Sequence, residues 1–194
     1  MREEKYKYLC AKKSDINEHL TVLRKYGEQC NHITEFGVRW IVSTWAFLAS
    51  QPDFLISYDI RHPSSFKADI DNVYASAGKT EYNFIQADVL KIEVEETDLL
   101  FIDTLHRYNQ LKKELQLHAS KVKKYIILHD TETFGEKGEG KGEGLQKAID
   151  EFLYQNGNWR IKEIPITVTY HEFGQKFSGG IRIIKDLIIQ KINQ

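Results

Sequence analysis

The stretch LLFIDTLHRY, residues 99–108, runs an apolar segment up to Asp103 and places His106 three positions further on. A second apolar run, KVKKYIILHD, ends on His129 and Asp130. Earlier runs end similarly: HITEFGV carries Glu35 and Gly37, FLISYDI reaches Asp59, and YNFIQAD stops at Asp88. One acidic residue after a strand is ordinary turn chemistry, but acidic or glycine residues at five successive run ends point to a shared site. Carboxylates such as Glu35 or Asp59 can accept hydrogen bonds from a ribose diol, and Gly37 admits either a close-lying ligand or a tight turn. Asp103 and Asp130 together offer the oxygen ligands that a hard divalent cation takes, or acceptors for substrate hydroxyls. His106, with an ordinary pKa of about 6.5, suits proton uptake near neutrality, unless it only hydrogen-bonds Asp103 as a loop histidine.

The elements that must position these residues alternate. Short β-branched runs are separated by helix-length segments, the pattern of a parallel sheet covered by helices. Strands are predicted at 32–38, 54–60, 82–88, 97–103 and 121–130, with NWRIKEIPITVTY as a sixth and GGIRIIKDLIIQ as a seventh. Predicted helices are STWAFLAS with Ser43 or Thr44 as its cap, a segment from Pro63 to about Ala77, an amphipathic stretch around Leu111, Leu115 and Leu117, and LQKAIDEFLYQ. Right-handed crossovers make this a doubly wound, three-layer α/β sheet, and such sheets bind ligands at the carboxyl ends of their strands. Between Asp130 and the last helix, glycines at 135, 138, 140, 142 and 144 stand among charges. Residues 131–144 are therefore expected to form a mobile loop at the rim of the site, placed to close over it when a substrate binds.

Composition narrows the partners. The 194 residues suit one domain, residues 1–194, whose segment 1–30 serves either as a helical lid or as a homodimer contact. Lys and Arg number 27 against 28 Asp and Glu, so nothing draws the chain generally to nucleic acid or to an anionic membrane. The charged start MREEKYKY and the lack of a long apolar run favour a cytoplasmic protein with no membrane contact. Cys10 and Cys30 match no metal spacing and read as reduced thiols. GVRWIV holds a single glycine where a dinucleotide fingerprint needs three, which argues against a nicotinamide or flavin cofactor.

Taken together, TEFGVRWIVSTWAFL, LISYDI, DLLFIDTLHRYNQLKKELQLHASKVKKYIILHD and GLQKAIDEFL resemble class I S-adenosylmethionine-dependent methyltransferases. More narrowly they resemble the branch related to cephalosporin-hydroxylase-type and small-molecule O-methyltransferases, from about residue 30 to about 185. The resemblance implies a Rossmann-like, seven-stranded, mostly parallel sheet with an antiparallel last strand. It also implies a set of roles. Glu35 and Gly37, with Ser43, line the methionine and ribose part of S-adenosylmethionine; Asp59 meets the ribose hydroxyls; Asp88 lies near the adenine amine. Asp103 matches the acid after the fourth strand, which in metal-assisted relatives holds Mg²⁺ together with residues after the fifth, here His129 and Asp130. Where many relatives have a second glycine in the first motif, this chain has Ile41 or Val42, which implies a differently shaped cofactor loop.

Methyl transfer from a sulfonium donor asks the protein mainly for positioning, worth roughly 7–11 kcal/mol, and for a base worth on the order of 10²–10⁴ in rate. His106 with Asp103 fills the second role in this reading. The expected acceptor is a hydroxyl of a small molecule or sugar. Trp40, Trp45, Tyr108 and Phe134 either line its pocket or belong to the core, and only Tyr108 and Phe134 fall in predicted rim loops. Two other classes compete: a binding module on the same fold that has lost its chemistry, and an aspartate-based phosphatase. The phosphatase motif fits poorly, because Leu105 and Arg107 stand where it wants Asp or Thr and a further Thr.

Overall fold

Apolar residues run unbroken through the central strands because both faces of the sheet are covered. The structure, a computed structural model, describes residues 1–163, 166–171, 180–185 and 187–192. In β4 (Thr97–Ile102), Leu99 and Phe101 enter one buried cluster while Leu100 and Ile102 enter another. In β5 (Val122–Leu128), Tyr125 and Ile127 divide from Ile126 and Leu128 in the same way. One cluster is closed by α1 (Arg2–Ala11), α2 (Leu20–Gly27), α3 (Val42–Ser50) and α4 (Ile70–Ser76). The other is closed by α5 (Tyr108–His118) and α6 (Leu145–Gln155). The period of two along each strand thus produces the three layers.

The main sheet has the order β3-β2-β1-β4-β5-β9-β6, with β1 (His32–Phe36), β2 (Phe54–Asp59), β3 (Glu81–Gln86), β6 (Trp159–Glu163) and β9 (Leu187–Lys191) completing it. β1 pairs in parallel with β2 on one side and β4 on the other, and β9 runs antiparallel to both β5 and β6. The seven-stranded sheet with an antiparallel final strand expected from the sequence is present. The strand order turns back between β1 and β4, which opens a crevice at their carboxyl ends.

Several boundaries differ from the expectation. The run 158–170 is not one strand but β6 and β7 (Ile166–His171). The run 179–190 divides into β8 (Gly180–Lys185) and β9. β7 and β8 pair with each other in a separate two-stranded sheet, and the residues between the halves lie outside the described set. The segment from Pro63 breaks at Lys67, whose φ is +58°, and α4 starts anew where the Asp69 carboxylate accepts from Asn72 N. The helix around Leu111 begins earlier, at Tyr108.

The first thirty residues pack on the sheet's helical layer: Leu20 and Leu23 of α2 are buried against the same cluster as Trp45, Phe47 and Leu48. Seven consecutive residues of α3, Ser43 to Ala49, are buried, since α1 and α2 cover the side that a surface helix would show to water. Among the described residues no helix is long and apolar enough to cross a membrane.

Candidate active site

The loop from β1 to α3 is built on alternate left-handed residues. Gly37 has φ +85°, and a Cβ there would lie 1.9 Å from the Asp103 carbonyl oxygen, so only glycine lets β1 and β4 end side by side. Arg39 (φ +39°) and Ile41 (φ +56°) repeat the same handedness. The chain therefore keeps a glycine-type loop path with side chains that resist it, most of all the β-branched Ile41. Asp59, at the end of β2, offsets that strain: its Oδ2 accepts from Val38 N at 2.9 Å and Arg39 N at 3.1 Å, and Oδ1 accepts from Arg61 N at 2.9 Å. Oδ1 keeps one acceptor position for a hydroxyl.

Glu35 does not line the crevice. It is fully buried, and its carboxylate accepts from Ser43 Oγ (2.6 Å), Ser57 Oγ (2.6 Å) and Thr44 Oγ1 (2.8 Å). Burial pushes the carboxyl up to about 7 against those three hydroxyl bonds. Ser43 and Thr44, expected as caps, lie inside α3 behind Ile41 and spend their hydroxyls on Glu35 instead. Ser43 still borders the cleft.

That cleft has a volume of about 720 Å³ and runs along the strand ends. Gly37, Ser43, Asp59, Asp88, Asp103, His106 and Asp130 all line it, so of the nine residues singled out for the site or its metal only Glu35 and His129 stand outside. Asp88 accepts from Leu90 N at 3.0 Å and pairs with Lys91, which together hold it below the usual carboxylate range. Trp40 and Phe134 border the cleft, whereas Trp45 is buried in the core and Tyr108 turns away to donate to Glu151.

At the far wall, His106 Nε2 donates to Asp103 Oδ1 at 3.1 Å while Nδ1 faces Glu139 Oε2 at 3.4 Å. The ring stacks on Phe134 at 4.6 Å between centroids, 12° from parallel. Burial opposes a charge on the imidazole, but the Asp103 hydrogen bond and charge, with Asp130 behind, raise its pKa. Burial would raise Asp103 in turn; the charges of His129 and His106, the His106 hydrogen bond and the Arg39 charge hold it below the usual range. His106 therefore holds its proton more readily than a free imidazole does.

Thr104 donates to the buried Glu114 at 2.6 Å, and Gln110 donates to the same oxygen at 2.8 Å, which ties the turn after Asp103 to α5. Glu114 and Glu139 were missed by sequence reasoning, because each sits in a charged stretch that reads as solvated surface. For Glu114, the spacing Leu111, Glu114, Leu115, His118 on one helical face was the available signal.

Residues 131–144 form a folded excursion. Glu139 N donates to His106 O at 2.8 Å, Arg107 Nε donates to Glu139 O at 2.7 Å, and Tyr108 N donates to Glu143 O at 3.0 Å. Its glycines allow close approach: a Cβ at Gly144 would lie 2.2 Å from the Gly135 oxygen, and one at Gly138 would lie 2.7 Å from the Glu143 oxygen. At Gly135, Gly138 and Gly144 the glycine that reads as floppiness is a packing requirement.

The expectation that Asp103 and Asp130 share a divalent cation finds no support in the arrangement of the described residues. Among the described residues no group of three or more His, Cys, Asp or Glu side chains is arranged to hold a metal, and Asp103 is committed to His106.

No family model and no curated protein sequence matches the chain. Solved structures do. A magnesium protoporphyrin IX methyltransferase from Synechocystis PCC 6803, with bound S-adenosylhomocysteine, superposes with a TM-score of 0.64 at 12% identity over 97% of this chain and 93% of that one. A candidate RNA methyltransferase from Pyrococcus horikoshii gives 0.63 at 12% identity over 99% and 98%. The chain has the class I methyltransferase fold. A candidate O-methyltransferase from Klebsiella pneumoniae shares this methyltransferase fold with a TM-score of 0.62 at 17% identity, covering 98% of this chain and 87% of that one. The central sheet and its cleft are thus common to proteins described as acting on unlike acceptors, so the fold does not choose the acceptor.

Proposed function

We propose that the chain is an S-adenosylmethionine-dependent methyltransferase that methylates a hydroxyl of a small molecule. The observation that carries this reading is the cleft at the switch point of a methyltransferase fold, with Gly37, Asp59 and Asp88 along one side and the Asp103–His106 pair opposite. The donor set fits the cofactor: a loop closed to side chains at Gly37, a carboxylate with a spare acceptor position at Asp59, and a half-exposed carboxylate at Asp88. When bound, the cofactor supplies an activated methyl group on a sulfonium sulfur.

The remaining work falls to the chain. Gly37 and Asp59 fix the donor side, and Trp40 and Phe134 exclude water from the cleft. His106, oriented by Asp103 and by stacking on Phe134, accepts the hydroxyl proton at Nδ1 once that atom is unprotonated, and returns it to solvent. No step passes through a metal, and the reaction is expected to persist in excess chelator. The narrower likeness to cephalosporin-hydroxylase-type relatives, a cytoplasmic setting and a gating role for residues 131–144 belong to this same reading.

Calorimetry with S-adenosylhomocysteine tests it. A saturable heat that Asp59→Asn weakens is expected; no heat and no thermal shift at millimolar ligand would remove the methyltransferase reading and leave a fold put to another use.

A further inference from the structure

We propose that the groove between α1, the loop after β1 and the start of α4 seats a small acceptor bearing an aromatic ring and an anionic group. The groove measures about 850 Å³ and joins the cleft at Asp15, Trp40 and Val42. Four lysines line it, Lys5, Lys12, Lys13 and Lys67, and among the described residues none of them forms an ion pair. In a chain whose net charge is −1, that is a local concentration of unspent positive charge. The carboxylates at its edge are already engaged, Asp15 by Arg39 and Asp69 by Asn72.

Two aromatic side chains face solvent at the groove, Tyr8 at 54% exposure and Trp40 at 50%. The Lys5 and Lys12 ammoniums lie 5.5 and 5.7 Å from the Tyr8 ring, and the Arg39 guanidinium 4.0 Å from the Trp40 ring. Exposed rings with unpaired lysines beside them recognise a flat π-surface and a negative charge on one molecule. An acceptor held there reaches the cleft without crossing another element. A second cationic patch, at Arg107, Lys113 and Lys141, borders a hollow of only about 290 Å³, and its Arg107 is spent on the Glu139 carbonyl. As an acceptor site the groove rests on the methyltransferase reading; as a binding site it does not.

The test is calorimetric titration of 2-naphthyl phosphate into the full chain saturated with S-adenosylhomocysteine, which keeps the probe out of the cofactor positions. Binding at least about tenfold tighter than that of 2-naphthol or inorganic phosphate is expected, falling as salt rises. Lys12→Glu with Lys67→Glu is expected to weaken it by about tenfold or more, while Lys113→Glu with Lys141→Glu leaves it unchanged. Unaltered binding of S-adenosylhomocysteine by both double variants shows that they fold. No binding, equal binding of naphthol and its phosphate, or loss only in the Lys113/Lys141 variant overturns the proposal. A single-stranded oligonucleotide binding far more tightly through Lys12 and Lys67 overturns it in favour of a nucleic-acid acceptor. If S-adenosylhomocysteine itself fails to bind, the methyltransferase reading falls, and the same titration without it still decides the groove.

Discussion

His106 and Glu35 show how burial reassigns a residue's chemistry. Because its partners raise the His106 pKa, the ring must lose a proton before it can act as a base, so activity should climb with pH through a limb lying above the ordinary histidine value of about 6.5. Glu139→Gln removes one facing carboxylate and should move that limb to lower pH; Asp103→Asn should move it further. Proton NMR of the His106 ring across pH reads the same shift without an assay. Glu35 is raised too, but by burial rather than by charged partners. Its folded-state pKa of about 7 lies above that of an unfolded glutamate, so its favourable contribution is complete below pH of about 4.5 and lost as pH rises to about 7. That loss amounts to about 3 kcal/mol. Glu35→Gln should flatten this slope in urea melts at pH 5 and 8, since hydroxyls can serve an amide as well as an acid. Glu35→Ala strands three buried hydroxyls and should cost about 2–4 kcal/mol.

At the scale of elements, two loops hold the site through backbone rather than side chains. Gly37→Ala forces a Cβ into the Asp103 carbonyl at a positive φ, so it should lower thermal stability by several degrees and abolish S-adenosylhomocysteine binding. In residues 131–144 the glycines are not equivalent. Gly144→Ala meets two carbonyl oxygens within 2.3 Å, whereas Gly142→Ala meets nothing within 4 Å and carries only the strain of φ +114°. Hydrogen exchange should show the first releasing the whole excursion and the second leaving Glu139 N and Tyr108 N protected. The glycine count was legible in the sequence, but not its meaning, because close approach of two backbones depends on which strand ends are neighbours.

For the whole molecule, the alternation of strands with helices and the gathering of Gly37, Asp59, Asp88, Asp103 and His106 at one edge followed from apolar runs ending in acids, a pattern that local chemistry writes directly. What sequence could not show was which carboxylate faces inward. Glu35 and Gly37 are two residues apart, yet β1 hides one under α3 and presents the other to the cleft. Nor could it show that α2 serves as the platform for α3. Leu23→Ala in α2, fully buried, should cost about 2–5 kcal/mol and also weaken cofactor binding, since α3 carries the loop from β1. The pairing of His106 with Glu139 has a last consequence. The glutamate faces the His106 ring while residues 131–144 lie against α5, so in the proposed gating protonation and closure are coupled. On that proposal closing takes up protons and opening releases them. A ligand that draws the excursion shut would then bind with a heat that changes with the ionisation enthalpy of the buffer, and acid alone would favour the closed form.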